Sequence, residues 1–358
     1  MDAESKIAAI KSFAEEIVTE EELMALFSTK KRIIAYDGFE PSGQIHIAQG
    51  LMRALTVNKM TSLGIHFKFW VADWFAMLNN KYDGDLDKIR TVGKYFIEVW
   101  KACGLDMDNV EFVWTSDFID GHPEYWQTVL KLSMNASVQR VLRCGQIMGR
   151  EDSVSNPSSQ IMYPLMQAAD IIHLEADIAQ LGLDQRKVNM LARDIFPKIG
   201  RKPPIAVHHP MLLGLKFIKS DLEGADRKIA MKMSKSKPET AVFMTDSKAE
   251  IMEKFKNAYC PEAEEKDNPV MEYARLIVFE KFKNITIERP QKFGGDLDIA
   301  GYDELKKLYL AKKIHPTDLK NTVANYVDQL VDPVRSHFEK NSHAKELYET
   351  VKSFKVTR

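Results

Sequence analysis

In the first half of the chain, short β-branched runs alternate with stretches whose apolar residues recur at helical spacing. Lys31–Tyr36 (KRIIAY) predicts a strand, and a turn-rich stretch, DGFEPSG, follows it. From Ile47 to Leu63, residues Leu51, Leu55 and Met60 keep near-helical spacing, and Phe67–Ala72 (FKFWVA) predicts a second strand. Val92, Tyr95, Phe96, Val99, Trp100 and Cys103 repeat at i, i+3, i+4, i+7, which marks an amphipathic helix, and Val110–Trp114 predicts a third strand. A β–α–β–α–β order implies a parallel sheet with helices on its faces. Ligands in such sheets bind beyond the carboxyl ends of the strands, which puts the DGFEPSG turn where a site is expected.

Further along, residues 151–160 (EDSVSNPSSQ) predict a polar loop, and a second organised block runs from Ile161 to about Leu215. Lys216–Thr240 is rich in Lys, Gly and Ser and lacks periodicity, which predicts a mobile loop. From about residue 246 the pattern is mostly helical, broken by the turn-rich RPQKFGGD. Two units follow from this, 1–245 and 246–358. The acidic N-terminus, MDAESKIAAIKSFAEEIVTEEEL, reads as one amphipathic helix, unlike a secretory or transit peptide.

Composition narrows the picture. A chain of 358 residues, 45% hydrophobic and 28% charged, suits about two globular domains. No apolar run reaches the roughly 20 residues needed to cross a bilayer. The cysteines, Cys103, Cys144 and Cys260, have no paired spacing, so neither a disulfide framework nor a metal site is expected, and a reducing cytoplasm fits. A net charge of −1 gives no global sign of a nucleic-acid partner. Residues 281–358 hold 15 Lys and Arg against 11 Asp and Glu, which fits a solvated helix surface or a local nucleic-acid face.

Four strings carry candidate chemistry. Ser42-Gly43-Gln44-Ile45-His46-Ile47-Ala48-Gln49-Gly50 sits where a strand hands over to a helix N-terminus. Small residues there let the backbone approach a phosphate, the helix end favours negative charge, and His46 can donate to phosphate oxygens. By itself the string also fits an ordinary structural histidine. Lys232-Met233-Ser234-Lys235-Ser236 sets two lysines and two hydroxyls on a polar loop, suited to meet the charge of a leaving pyrophosphate; the alternative is a solvated basic loop. Tyr163, Gln167 and Asp170 lie at i, i+4, i+7 on one helix face, with Pro164 in a first turn that Tyr163 opens. Their neighbours Met162, Leu165, Met166 and Ala169 are apolar, so the polar triplet needs partners, either a ligand or nearby backbone. Lastly, Arg289-Pro290-Gln291-Lys292-Phe293-Gly294-Gly295-Asp296 and His315-Pro316-Thr317-Asp318-Leu319-Lys320 combine an aromatic with hydrogen-bonding groups. An exposed Phe293 could stack on an unpaired base; a core Phe293 fits as well.

The first two strings together resemble the signature pair of class I aminoacyl-tRNA synthetases, a HIGH-type turn and a KMSKS loop. KMSKS matches in full, whereas the turn reads HIAQ, with Ala48 for Gly and Gln49 for the second His. The Tyr163 helix resembles the Tyr-Pro-x-x-Gln-x-x-Asp helix of tyrosyl-tRNA synthetases of archaeal and eukaryotic type. Asp184-Gln185-Arg186-Lys187, preceded by Gly182-Leu183, resembles their Asp-Gln-Arg-Lys string. The resemblance runs from about residue 30 to about 345, leaving the N-terminal helix as a lid or dimer element.

The resemblance implies an α/β fold: a Rossmann-like catalytic domain over 1–245 and a mostly helical anticodon-binding domain over 246–358. It implies that Tyr36 and Asp170 hold the phenol of tyrosine, while Tyr163, Gln167 and Gln185 hold its α-amino group. It assigns ATP to Gly38, Gly43, His46, Asp184, Lys232, Met233 and Lys235, and catalysis to His46, Lys232, Ser234 and Lys235. For tRNA(Tyr) it implies Arg186 and Lys187 at the first acceptor base pair, Phe293 and His315 stacking near the first anticodon base, and Asp318 on that base's edge. ATP would be a substrate bringing its own Mg²⁺, with no prosthetic group. L-Tyrosine, ATP and tRNA(Tyr) are the implied partners of a cytoplasmic homodimer joined around the helices after residue 115, with no membrane contact. Three rivals stand beside this reading. A tryptophanyl-tRNA synthetase has no need of a Tyr36/Asp170 clamp. A non-catalytic RNA-binding or signalling module of the same fold would not need KMSKS. A plain nucleotidyltransferase has no use for the C-terminal strings.

Overall fold

The computed structural model describes the chain except residues 146–156, 218–220, 234, 236 and 356–358 and the side chains of Ala225 and Lys228. Six strands form its main sheet: β1 (Glu16–Val18), β2 (Ile33–Phe39), β3 (Ile65–Val71), β4 (Val110–Trp114), β5 (Ile178–Gly182) and β6 (Ile205–His209). Their spatial order is β1-β6-β5-β2-β3-β4. Strands β2 to β6 run parallel, and β1 closes one edge antiparallel to β6. Because β2 pairs with β3 on one side and with β5 on the other, the winding reverses there and a crevice opens beyond the carboxyl ends of β2 and β5. Every residue of β5 is buried, as expected for a strand covered on both faces.

Helices α1 (Ala3–Lys11) and α2 (Glu20–Thr29) flank β1 in the chain; α3 (Leu51–Ser62), α4 (Asp73–Leu78) and α5 (Leu86–Ala102) precede β4. Between β4 and β6 come α6 (Thr115–Gly121), α7 (Glu124–Ser133), α8 (Val138–Gly145), α9 (Ser159–His173) and α10 (Arg186–Ile195). Helix α11 (Gly224–Met231) follows, then α12 (Lys248–Lys256), α13 (Pro269–Tyr273) and α14 (Phe279–Lys281). A hairpin of β7 (Ile285–Ile287) and β8 (Leu297–Ile299) leads into α15 (Tyr302–Leu310), α16 (Pro316–Lys340) and α17 (Ser342–Ser353).

Two apolar clusters sandwich the sheet. One contains Val57, Phe67 and Trp100 and continues without a break into Val323, Val331 and Leu347 of the C-terminal helices. Tyr95 of α5 stacks with Tyr348 of α17, and its ring lies 5.5 Å from that of Phe338 in α16, so the last helices close over the sheet layer. The other cluster, on the α7–α10 side, holds Tyr36, Trp70, Tyr125, Leu165 and Leu191. The helix expected around Val92 is α5, whose N-cap Asp85 accepts from the Lys88 amide.

Several boundaries differ from the sequence reading. The N-terminal segment is not one helix: Thr19 and Glu22 form a capping box that starts α2 afresh, and Glu16–Val18 are drawn into the sheet edge. Strand β2 continues through Asp37, Gly38 and Phe39, read as turn, because Gly38 and Phe39 are in register with Trp70 and Val71 of β3. Helix α3 begins at Leu51 and not at Ile47, since the Ile47 amide donates to Val242 O and His46 bridges to Phe243. Helix α9 begins a turn before Tyr163, leaving Pro164 inside it, where the ring denies a helical donor only to the Gln160 carbonyl. The stretch 216–240 is not wholly loop: α11 forms within it, tied down by Arg227 to Asp267 at 2.7 Å and by the buried Met231. The polar loop expected over 151–160 lies mostly outside the described residues. The RPQKFGGD break is the loop of the β7–β8 hairpin.

Candidate active site

A cleft of about 380 Å³ opens at the carboxyl ends of β2 and β5, on the predicted side of the sheet. Its floor is set by alternation along β2. Tyr36 points into the α9 side, where it is 1% exposed, and its hydroxyl has no hydrogen-bond partner among the described residues. The indole Nε1 of Trp70, on β3, makes no hydrogen bond of full geometry among the described residues but lies close enough to Asp170 to favour its carboxylate. Asp170 of α9 is buried beside them and accepts a 2.6 Å hydrogen bond from the Tyr125 hydroxyl. Burial pushes the Asp170 carboxyl well above the usual carboxylate range, against the pull of that hydroxyl. Tyr36 is raised by burial first and by the nearby Asp170 second, so the two groups face one space.

One turn up α9, Gln167 Nε2 donates to Gln185 Oε1 at 3.2 Å, and the Tyr163 hydroxyl donates to Glu40. Glu40 lies in the DGFEPSG stretch and also accepts from Asn79 Nδ2 at 2.6 Å. This carboxylate, with Gln167 and Gln185, forms a polar collar above the floor.

The mouth belongs to the two signature strings. Gly43 takes φ +59°, a left-handed turn favouring glycine, and its amide donates to the Tyr82 hydroxyl. His46 Nδ1 accepts from the Gln49 amide at 3.3 Å, which leaves the proton on Nε2, and burial and then Lys235 and Lys232 hold its pKa well below the usual imidazole range. His46 is therefore a neutral donor. Lys232 Nζ pairs with Asp184 Oδ2 at 2.6 Å. Lys235 Nζ donates to Ser42 O at 2.6 Å and lies 4.7 Å from the Phe96 ring centre. Burial, then Lys81, lowers Lys235 to about 7. A Cβ at Gly38 would meet Trp70 at 3.8 Å, an ordinary van der Waals contact.

Tyr36, Gly38, His46, Tyr163, Gln167, Asp170, Asp184, Gln185, Lys232, Met233 and Lys235 thus line one cleft, with Gly43 in the adjoining turn. Ser234 lies outside the described residues. The sequence reading missed Glu40, Trp70 and a cluster at the cleft wall: Asp37, Arg53, Gln180 and His209. Arg53 was detectable, because a charge there interrupts the stripe it shares with Val57 and Met60 at i+4 and i+7.

Of the residues expected to meet nucleic acid, Arg186 and Lys187 open α10 beside the cleft. Arg186 Nε is held by Glu16 Oε2 at 2.8 Å, and Lys187 Nζ lies 3.8 Å from Asp226. Phe293 is 62% exposed, which removes the core reading, and Lys292 Nζ sits over its ring at 5.0 Å. Arg289 ties that loop to the approach of α16 through a 2.9 Å hydrogen bond from NH1 to Lys313 O. His315, whose Nδ1 caps Thr317, and Asp318 of the first turn lie just beyond.

Residues 28–332 match the family of class I tRNA synthetases for tryptophan and tyrosine. The chain is 46% identical over 359 residues to the cytoplasmic tyrosine–tRNA ligase 1 of Arabidopsis thaliana, covering all of this chain and 90% of that one. Among solved structures, tyrosyl-tRNA synthetase of Leishmania major with tyrosinol superposes with a TM-score of 0.90 at 41% identity over 99% of this chain. This chain spans only 61% of that longer one. The Pyrococcus horikoshii enzyme with L-tyrosine gives 0.89 at 38% identity, covering 98% of this chain and 100% of that one. The chain belongs to the class I tRNA synthetases for tryptophan and tyrosine, and within them to the tyrosine–tRNA ligases.

Proposed function

We propose that the chain activates L-tyrosine with ATP to tyrosyl-adenylate and transfers the tyrosyl group to the 3′ end of tRNA(Tyr), releasing pyrophosphate and AMP. One observation carries the choice of amino acid: the orphaned Tyr36 hydroxyl beside buried Asp170 at the cleft floor. A phenol hydroxyl can donate to the carboxylate and accept from Tyr36, whereas phenylalanine leaves the Tyr36 hydroxyl unpaired and gives Asp170 no donor beyond Tyr125. An indole fits the orphaned acceptors less well, having one donor and no acceptor.

Gln167, Gln185 and Tyr163 bind the α-ammonium, supported by the oxygens that Gln185 and Glu40 already turn into the collar. The tyrosine carboxylate then attacks the α-phosphorus of ATP, and the bond to the β-phosphate oxygen breaks. No protein nucleophile is required; rate comes from alignment and charge stabilisation. His46 donates to a phosphate oxygen as a neutral imidazole. Lys232 leaves Asp184 for the pyrophosphate, Lys235 turns from Ser42 O to the same charge, and Ser234 adds a hydroxyl. Asp184, released, accepts from the ribose, while Gly38, Gly43 and Met233 bound the nucleotide. ATP enters as its magnesium complex, the metal held chiefly by phosphates and water.

Residues 1–245 form the catalytic domain and 246–358 the anticodon-binding domain, whose Phe293, His315 and Asp318 read the first anticodon base. Arg186 and Lys187 take the acceptor end. The enzyme works in the cytoplasm, as its Arabidopsis relative is named, and no helix among the described residues is long and apolar enough to cross a membrane. It acts as a homodimer, supported by the exposed apolar residues of α7 and α8.

The deciding experiment is pyrophosphate exchange into ATP with tyrosine, phenylalanine and tryptophan, followed by charging of tRNA. Exchange with tyrosine alone is expected. Exchange driven by tryptophan, or none with any of the three, would refute the reading.

A further inference from the structure

Beside the cleft, four buried or half-buried polar side chains, three of which line it, hold one another in an arrangement that fixes a proton. Asp37, beside the floor tyrosine on β2, accepts from the Gly38 amide at 2.8 Å and places Oδ2 2.6 Å from Arg53 Nε. Arg53, 1% exposed on α3, turns NH2 to the carbonyl and side-chain oxygens of Gln180 and NH1 to His209 Nδ1 at 3.4 Å. Guanidinium nitrogens only donate, so the Gln180 atom facing Arg53 is oxygen, and its amide nitrogen is the one 3.1 Å from His209 Nδ1. Nδ1 therefore receives two donors. It cannot carry a proton, and the ring proton sits on Nε2.

Nε2 has no partner among the described residues. It faces Gly182, at the carboxyl end of β5 and next to Asp184, where a Cβ would lie 3.4 Å from it. His209 ends β6 and lines the cleft there. The same cleft is lined by the apolar side chains of Met52, Leu181, Met211, Leu212 and Met233. An apolar lining with one oriented donor is the form of a site for a flat heterocycle bearing a ring acceptor. Burial, then the Arg53 charge, keeps His209 well below the usual imidazole range, so it remains a neutral donor at physiological pH.

We propose that His209 is a nucleotide-binding residue, donating Nε2–H to a ring nitrogen of the adenine of ATP, and that Asp37, Arg53 and Gln180 are positioning residues that lock its tautomer. This rests on the proposed tyrosine-activating function and adds a base-recognising group to it. Arg53 acts through the histidine and touches no substrate. The two buried charges serve to orient a neutral donor, which a single histidine on a strand end could not do alone.

The test is pyrophosphate exchange with tyrosine saturating, using ATP and its 1-deaza, 3-deaza and 7-deaza analogues, on the intact enzyme and on His209→Phe and His209→Gln. The intact enzyme should lose affinity for one analogue by about five- to tenfold, the scale of one neutral hydrogen bond. His209→Phe should raise the KM for ATP by a similar factor, leave the tyrosine KM unchanged, and no longer distinguish that analogue. His209→Gln, which retains an N–H, should restore part of the loss. Tyrosine binding by calorimetry checks that each variant is folded. Should His209→Phe fail that check, His209→Gln and the intact enzyme's analogue profile still decide. An intact enzyme that treats all three analogues as ATP overturns the proposal, as does a folded variant that keeps the full analogue penalty. Absence of tyrosine-dependent exchange in the intact enzyme would instead overturn the proposed function.

Discussion

At the scale of single residues, selectivity and catalysis depend on groups whose charge state the fold has shifted. Asp170 is buried, accepts from the Tyr125 hydroxyl, is approached by the Trp70 indole, and has the Tyr36 phenol beside it. Asp170→Ala should therefore reduce discrimination against phenylalanine by roughly 10²-fold or more, a part of the ~10⁵-fold documented for tyrosine-specific synthetases that hydrogen-bond the substrate hydroxyl. The ratio of kcat/KM for tyrosine and phenylalanine in pyrophosphate exchange measures it; an unchanged ratio removes Asp170 from the clamp. Lys232→Ala should slow adenylate formation severely, by about 10²-fold, while tyrosine affinity stays. A normal burst of pyrophosphate in that variant would contradict the role. Lys235 provides a pH signature. Its free-enzyme pKa of about 7 means the ammonium is half lost near neutrality, and polyphosphate must raise that pKa by favouring the charged form. ATP binding then takes up a proton above pH 7, so the KM for ATP should climb as pH rises, by up to about tenfold per unit. Lys235→Arg, whose charge does not titrate, should flatten the profile between pH 6.5 and 8.5, and parallel slopes in the two enzymes would exclude Lys235 as the titrating group.

At the scale of elements, strands and the main helices were legible because each has a local cause. The apolar spacing of α5 and the β-branched run of β4 carried their own period, and α9 announced its polar face by interrupting an apolar one. What was missed has a long-range cause. Asp37 to Phe39 look like turn, but β3 supplies their partners; Glu16–Val18 look helical, but the β6 edge claims them. Glu40, Trp70 and His209 join the site from three separate segments, and no local pattern links them. Phe293 could not be assigned from sequence, since exposure depends on what the hairpin loop packs against. The N-terminal elements clasp α10 through Glu16 to Arg186 and Glu22 to Arg193 at 2.8 Å. They depend on the Thr19 cap, so Thr19→Ala should cost about 1 kcal/mol of stability. Urea unfolding would record it as a lower midpoint at constant slope, and an unchanged midpoint would mean that the cap is not needed.

At the scale of the whole molecule, one surface is at odds with a solitary chain. Along α7 and α8, Leu130, Met134 and Val138 follow one another at four-residue intervals and are 63%, 84% and 58% exposed. Trp126, one interval earlier and 38% exposed, stacks on Trp74 of α4. Scattered exposed apolar residues need no explanation, but several on the two adjoining helices that pack on α9 do. A second copy of the chain, laid on the same residues by a two-fold axis, would cover both and brace the helix bearing Asp170 in each subunit. Leu130→Glu with Met134→Glu puts two like charges from each subunit at that axis, where desolvation and repulsion both oppose association. Sedimentation should find the intact protein at twice the chain mass and the double variant at the chain mass, with the monomer still folded because neither residue is buried. Loss of tyrosine exchange alongside the mass change would show that the braced α9 depends on the partner. A double variant that stays at twice the chain mass would move the interface elsewhere, and an intact protein at the chain mass would rule out the dimer.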